Sequence, residues 1–363
     1  MKNTRLSVAL VGSSALAALA AAACSQQADS APAPPAVSAP TAAARPTLAP
    51  DMQSVLDKLA SLGGKPIESL PPAEARKQPS PADAVKALMK DQGLTTTPDT
   101  TVTTRDVTYP GGAGGQKARI YTPASANGPL PVVLYIHGGG WVIADIDVYD
   151  ASPRALAKAA NAIVVSIAYR KAPEAKFPAA HDDANAAYGW VLANAAAWGG
   201  DPKKVAVVGE SAGGNMAMNV AISARDKAMQ APLAIVAVYP VADTSPTQAK
   251  KTFAAAKPLN TPMLAWFFKH ALTDPEQAAD PRLNLVAAKL DGLPPTTIIL
   301  AGVDPLHDDG ANLTAKLRDA GVTVDLKAYP AATHEFFSMG AVVADARAAV
   351  DYAAGKLKSA FGG

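Results

Sequence analysis

Val205-Ala-Val-Val-Gly-Glu-Ser-Ala-Gly-Gly214 decides the fold. Four apolar residues read as a buried strand, and Ala212 begins a helical pattern that runs to Met229. Between them lies G-x-S-x-G. A turn this tight from strand to helix brings neighbouring backbone against positions 209 and 213, so both must lack side chains. The same turn lifts the hydroxyl of Ser211 above the sheet edge. The free N–H groups of the helix start face the point where negative charge would develop on a reacting oxygen.

Working outward, short apolar runs alternate with helical patterns. Strands are expected at Val132–Ile136, Ile163–Ile167, Val205–Val208, Ala234–Tyr239, Thr297–Leu300 and Val324–Tyr329. Helices are expected at Ser152–Ala160, Asp182–Trp198, Ala212–Met229, Asp309–Ala320 and Ala341–Lys358. This alternation predicts an α/β fold with a mostly parallel central sheet covered by helices on both faces. Upstream, Val55, Leu56, Leu59 and Leu62 fit one helix stopped by Gly63-Gly64. Pro81–Met89 fits a second. Val102–Tyr109 and Ala118–Thr122 flank a glycine-rich hairpin turn. Residues 243–293 carry no strand pattern but do carry Trp266, Phe267 and Phe268. An insertion of this length between core strands predicts a lid or pocket wall, with added core packing as the alternative.

A serine needs a base, and the base needs an orienting carboxylate. Of the five histidines, His334 follows the final strand at the carboxyl edge, where α/β sheets place reactive groups. Asp304 follows the strand before it. The chain order Ser211, Asp304, His334 suits this architecture. His307 is the rival base, and Asp308 and Asp309 are rival acids; all three read better as the start of the next helix. His137-Gly138-Gly139-Gly140-Trp141 directly follows a strand, and its glycines leave backbone amides open to a substrate oxygen. It lacks the spacing of a phosphate loop. His137 itself reads as a residue that holds this loop.

These motifs, together with Tyr169-Arg-Lys-Ala-Pro-Glu, Phe177-Pro-Ala-Ala, Asp304-Pro-Leu and His334-Glu-Phe, resemble the bacterial hormone-sensitive-lipase-like esterases of the α/β-hydrolase fold, from about Val132 to the C-terminus. The resemblance implies Ser211 as nucleophile, His334 as general base and acid, and Asp304 as its carboxylate. It implies an oxyanion hole from the N–H groups of Gly139, Gly140 and Ala212. It also implies a cap from residues 51–95 and 243–288, and short acyl esters as substrates. Trp141, Trp266 and Phe267 become candidates for the substrate pocket, with core packing open for each. Two departures stand out: Glu335 follows the histidine where the family often has glycine, and His181 stands where another residue is usual. Related chemistry on amides, carbamates or lactones, and a non-catalytic binding role, are the alternatives.

Residues 1–23 read as an export signal: Lys2 and Arg5, then an apolar stretch ending in Ala21-Ala22-Ala23. Cys24, the single cysteine, excludes an internal disulfide framework. Its position fits lipidation at the cleavage point; plain cleavage after Ala23 is the alternative, because Ala21 replaces the leucine usual in lipoproteins. Either route predicts an exported protein, lipid-anchored in the cell envelope or soluble in the periplasm or medium. Residues 24–50, with Pro32, Pro34, Pro35, Pro40, Pro46 and Pro50, predict an extended linker. The hydrolase domain is expected over 51–363. Loss of Lys2 and Arg5 removes two of the 33 basic groups and none of the 31 acidic ones, taking the net charge from +2 to zero. Such a balance gives no basic field for nucleic acid or for an anionic membrane surface. The expected partner is a small-molecule ester, with membrane contact only through an N-terminal lipid. No metal or cofactor is expected, since no histidine pair has ligand spacing on one helix.

Overall fold

The computed structural model describes residues 47–112, 114–124 and 128–363. The stretch 1–23 read as an export signal, Cys24, and the expected linker up to residue 46 lie outside the described residues. In chain order, α1 (Pro50–Ser61), α2 (Pro72–Ala75) and α3 (Pro81–Asp91) precede β1 (Val102–Tyr109), β2 (Gln116–Pro123) and β3 (Leu130–Ile136). Then come α4 (Ala151–Ala160), β4 (Ile163–Ile167), α5 (Ala179–Asn194), β5 (Gly200–Glu210), α6 (Ala212–Asp226) and β6 (Ile235–Val238). The strandless stretch holds α7 (Gln248–Thr252) and α8 (Thr261–Ala271). β7 (Thr296–Val303), α9 (His307–Asp319), β8 (Val324–Thr333) and α10 (Ala344–Phe361) come last.

The eight strands form one sheet in the order β1-β2-β4-β3-β5-β6-β7-β8. β1, β2 and β4 pair antiparallel, and every pair from β4 through β8 is parallel. The apolar runs follow from burial on both faces. Along β3, Val132, Leu134 and Ile136 enter one core, and Val133 and Tyr135 enter the other. The first core is closed by α5, α6, α9 and the insertion residues Leu264, Trp266 and Phe267. The second is closed by α1, α3, α4 and α10. α6 carries its buried face almost all the way round, because it lies directly behind the central strands.

Three boundaries differ from the sequence reading. Leu48 and Ala49 pack on the second core, and Ala49 N–H donates to Ala331 O at 3.0 Å, so the packed domain begins before the expected residue 51. Pro50 is already the first helical residue of α1, where its missing N–H costs nothing. The inner face of α1 is Met52 and Val55; Leu62, expected on the apolar stripe, lies past the helix end and is 37% exposed. β8 runs on through Pro330 to Thr333. Proline is tolerated there because β8 is an edge strand and its outer N–H groups need no partner.

Candidate active site

β5 ends at Glu210 and α6 starts at Ala212, leaving Ser211 alone in the turn with φ 57° and ψ −119°. That is a strained backbone for a residue with a side chain, and it presents the hydroxyl to the cavity. A Cβ at Gly209 would stand 2.1 Å from Gly213 O, and one at Gly213 would stand 2.0 Å from Ile136 O. The turn therefore closes only with glycine at both positions.

The structure brings Ser211, His334 and Asp304 together from three strand ends. Ser211 Oγ lies 3.0 Å from His334 Nε2, and His334 Nδ1 lies 2.7 Å from Asp304 Oδ2. Because a carboxylate only accepts, Nδ1 carries the proton and the lone pair of Nε2 faces the hydroxyl. The second oxygen of Asp304 accepts from Leu306 N–H at 2.8 Å. Asp304 is fully buried, His334 is 2% exposed and Ser211 is 5% exposed. Burial opposes a charge on the imidazole. The Asp304 carboxylate, by charge and by hydrogen bond, outweighs it with help from Glu335 and Glu210, and the His334 pKa is raised above its ordinary 6.5.

The rivals are occupied elsewhere. His307 is the first residue of α9, and its Nδ1 meets Ala301 O at 2.9 Å. Asp308 accepts from Ala249 N–H, and Asp309 pairs with Lys250 at 2.7 Å. His181, 2% exposed between Trp141 and Phe177, meets Asn215 Oδ1 through Nε2 at 2.9 Å and does not line the cavity.

Gly139 and Gly140 have φ of 98° and 57°, left-handed values that turn the loop beside Ser211. Neither N–H is taken by a backbone acceptor among the described residues. His137 stacks on Tyr169 with ring centroids 4.4 Å apart, and the Tyr169 hydroxyl reaches the carbonyls of His137 and Gly138 at 3.1 and 2.9 Å. Burial pushes His137 down to about 4, so it is a neutral anchor near pH 7. Tyr169 is a loop-holding residue that the spacing of glycines did not reveal.

A cavity of about 600 Å³ opens on Ser211, His334, Gly139 and Gly140. Its outer walls come from residues 56–83 and from Leu259, Met263 and Phe267 of the insertion. Of the three aromatics expected to line it, Phe267 does so; a Cβ at Gly140 would stand 2.3 Å from its ring. Trp141 and Trp266 do not line the cavity; for both, the alternative of core packing holds. Trp141 has φ 62°, which turns its ring away into contact with His181 and Phe268. Trp266 is 7% exposed and donates Nε1–H to Leu70 O at 3.0 Å, pinning the insertion to the N-terminal segment.

The sheet order, the strained serine turn and the loop of glycines define a serine hydrolase framework, and comparison with known proteins places it. A family model with the α/β-hydrolase fold matches residues 133–338. The carboxylic ester hydrolase LipN of Mycobacterium tuberculosis is 40% identical over 250 residues, which are 67% of this chain and 66% of that protein. The ethyl acetate hydrolase of Pseudomonas putida is 34% identical over 287 residues, 77% of this chain and 88% of that one. Among solved structures, an esterase of Pyrobaculum calidifontis superposes with a TM-score of 0.77 at 32% identity, covering 86% of this chain and 98% of that one. The chain belongs to the hormone-sensitive-lipase-like esterases of the α/β-hydrolase family.

Proposed function

We propose that this protein hydrolyses carboxylic esters through an acyl-enzyme on Ser211. The observation that carries the reading is the unbroken hydrogen-bonded line from Ser211 Oγ through His334 to buried Asp304, opening on a cavity lined by Gly139 and Gly140. Ser211 Oγ bonds to the ester carbonyl carbon while its proton passes to His334 Nε2. The carbonyl oxygen takes the negative charge and is held by the N–H groups of Gly139, Gly140 and Ala212. The C–O bond to the alcohol breaks, and the alcohol leaves with the proton from Nε2. Water then gives a proton to the same nitrogen, attacks the acyl carbon and frees the acid, and Ser211 regains its proton. Asp304 stays ionised and holds the ring.

Short acyl esters are the proposed substrate class. The named relative acting on ethyl acetate supports this, as does the bulk of Phe267 against Gly140 beside the reacting serine. Across p-nitrophenyl esters from acetate to dodecanoate, kcat/KM is expected to peak at two to six carbons; a maximum at ten or more would overturn the short-chain assignment. Matched amides are expected to react far more slowly. The chain is also proposed to be exported by residues 1–23 and anchored through a lipid on Cys24. The placement of the lone cysteine supports that reading, and mass spectrometry of the mature N-terminus tests it.

The base must be neutral to accept a proton. Activity is therefore present above the His334 pKa and lost as pH falls through it. Because that pKa is raised by Asp304 against burial, the acid limb of kcat/KM is expected to have its midpoint above pH 6.5. A profile from pH 5 to 9 measures it, and a midpoint below 6 would contradict the assignment.

A further inference from the structure

Behind the triad lies a second set of polar groups that the mechanism above does not use. Glu335 directly follows the catalytic histidine and sits in the cavity wall. Its backbone has φ 69° and ψ 0°, the left-handed region where glycine is unstrained and a branched or long side chain is not. Both carboxylate oxygens lie within hydrogen-bond reach of the Tyr149 hydroxyl, at 2.6 and 2.7 Å. That hydroxyl in turn lies against Gly138: a Cβ there would stand 2.4 Å from it. One contact thus joins the loop of His334 to the loop that carries Gly139 and Gly140.

We propose, on the ester-hydrolase reading above, that Glu335 is a positioning residue: clamped by Tyr149, its carboxylate registers the histidine loop against the oxyanion loop and presents a negative charge to the imidazole. A carboxylate retained at a backbone position that favours glycine, in the wall of the reaction cavity, is the pattern of strain kept for function. The groups that face the imidazole are Asp304 after β7, Ser211 and Glu210 at the end of β5, Tyr239 after β6 and Glu335 itself. The Tyr239 ring stands 4.4 Å from the His334 ring, and its hydroxyl donates to Glu210, as does that of Tyr135. Glu210 is thereby held by the hydroxyls of Tyr135 and Tyr239, whereas Glu335 is held by that of Tyr149. Burial raises the Glu335 carboxyl, with His334 and Tyr149 opposing.

The test is the pH profile of Glu335→Gln with p-nitrophenyl acetate. Glutamine keeps an acceptor for Tyr149 and removes the charge. A neighbouring opposite charge shifts a pKa by about one unit or more. The acid limb is therefore expected to fall by about one unit and kcat at the plateau by roughly three- to ten-fold, with KM little changed. Glu335→Asp, which keeps the charge, is expected to restore the limb but not the full kcat. A residue that only fills the wall would change KM or melting temperature and leave the limb in place; an unmoved limb with wild-type kcat overturns the proposal. If Glu335→Gln does not fold, Tyr149→Phe answers the same question: losing the clamp lets Glu335 take up a proton more readily, and the limb should move in the same direction. A limb unmoved in that variant also overturns it. An inactive wild type would instead remove the ester-hydrolase reading on which this rests.

Discussion

Ser211→Ala is expected to lower kcat for p-nitrophenyl acetate by about 10⁶, with a melting temperature within a few degrees of wild type. The size follows from what is lost. Without the hydroxyl there is no acyl-enzyme, and only water positioned by the remaining amides can attack. The small structural effect follows from what is kept. Alanine retains the Cβ, so the strain at φ 57° is the same in both proteins. The lost contact is one hydrogen bond to His334 Nε2, worth about 1 kcal/mol. Substituting Gly213 would be a poor control, since its Cβ would collide with Ile136 O and confound chemistry with folding. Two measurements separate the outcomes: turnover, and covalent labelling by a fluorophosphonate, which the wild type should accept and the variant should not. Turnover within ten-fold of wild type would remove Ser211 from the reaction.

The serine turn was legible in one dimension because its constraint is local. Gly209 and Gly213 are separated by three residues, and the backbone that excludes their side chains belongs to the turn itself and to the adjacent β3. The strands were legible because a sheet covered on both faces demands mostly apolar side chains, as in Ile163–Ile167, where all five residues are buried and only Ser166 is polar. Strand ends were less so. β5 begins at Gly200, five residues before its apolar run, because Gly200 registers with Leu130 of β3 through a shift that polar Asp201, Lys203 and Lys204 do not advertise.

The aromatic residues were legible only in part, for a different reason. Hydrophobicity says that Trp141, Trp266 and Phe267 are inside, and all three are, but it does not say whether a ring faces a cavity or packs in the core. For Trp141 the direction is set by a positive φ, and for Trp266 by an indole hydrogen bond to residue 70. The tyrosines are the larger omission. Tyr135, Tyr149 and Tyr239 sit in or next to apolar strands and loops and read as core. Their function lies in hydroxyls that reach Glu210 and Glu335, partners 29 to 186 residues away. A buried carboxylate beside the nucleophile was visible in Gly-Glu-Ser, and the need to satisfy it was the available signal.

Asp304→Asn is expected to lower kcat by about 10⁴ while leaving the fold and Ser211 in place. The reason is a choice of orientation that the structure forces. Asp304 accepts twice: Oδ2 from His334 Nδ1–H, and Oδ1 from Leu306 N–H. Asparagine has one acceptor and one donor end. Leu306 N–H is a backbone donor that cannot change its role, so the amide oxygen turns to it and the NH₂ group faces His334. Nδ1 must then accept, which moves the ring proton to Nε2, the nitrogen that faces Ser211 Oγ at 3.0 Å. A protonated Nε2 cannot take the hydroxyl proton, and the attack loses its base. The opposite orientation keeps the tautomer but sets an NH₂ against a buried N–H, at a cost of about 1–3 kcal/mol. Loss of the negative charge acts in the same direction, since Asp304 is what raises the imidazole against burial; the remaining activity should have its acid limb displaced to lower pH. Fluorophosphonate labelling is expected to slow by a comparable factor but still reach completion, which distinguishes a misoriented base from a missing nucleophile. Turnover within ten-fold of wild type, with an unmoved acid limb, would mean that Asp304 neither fixes the tautomer nor supports the charge, and another carboxylate would have to be found for His334.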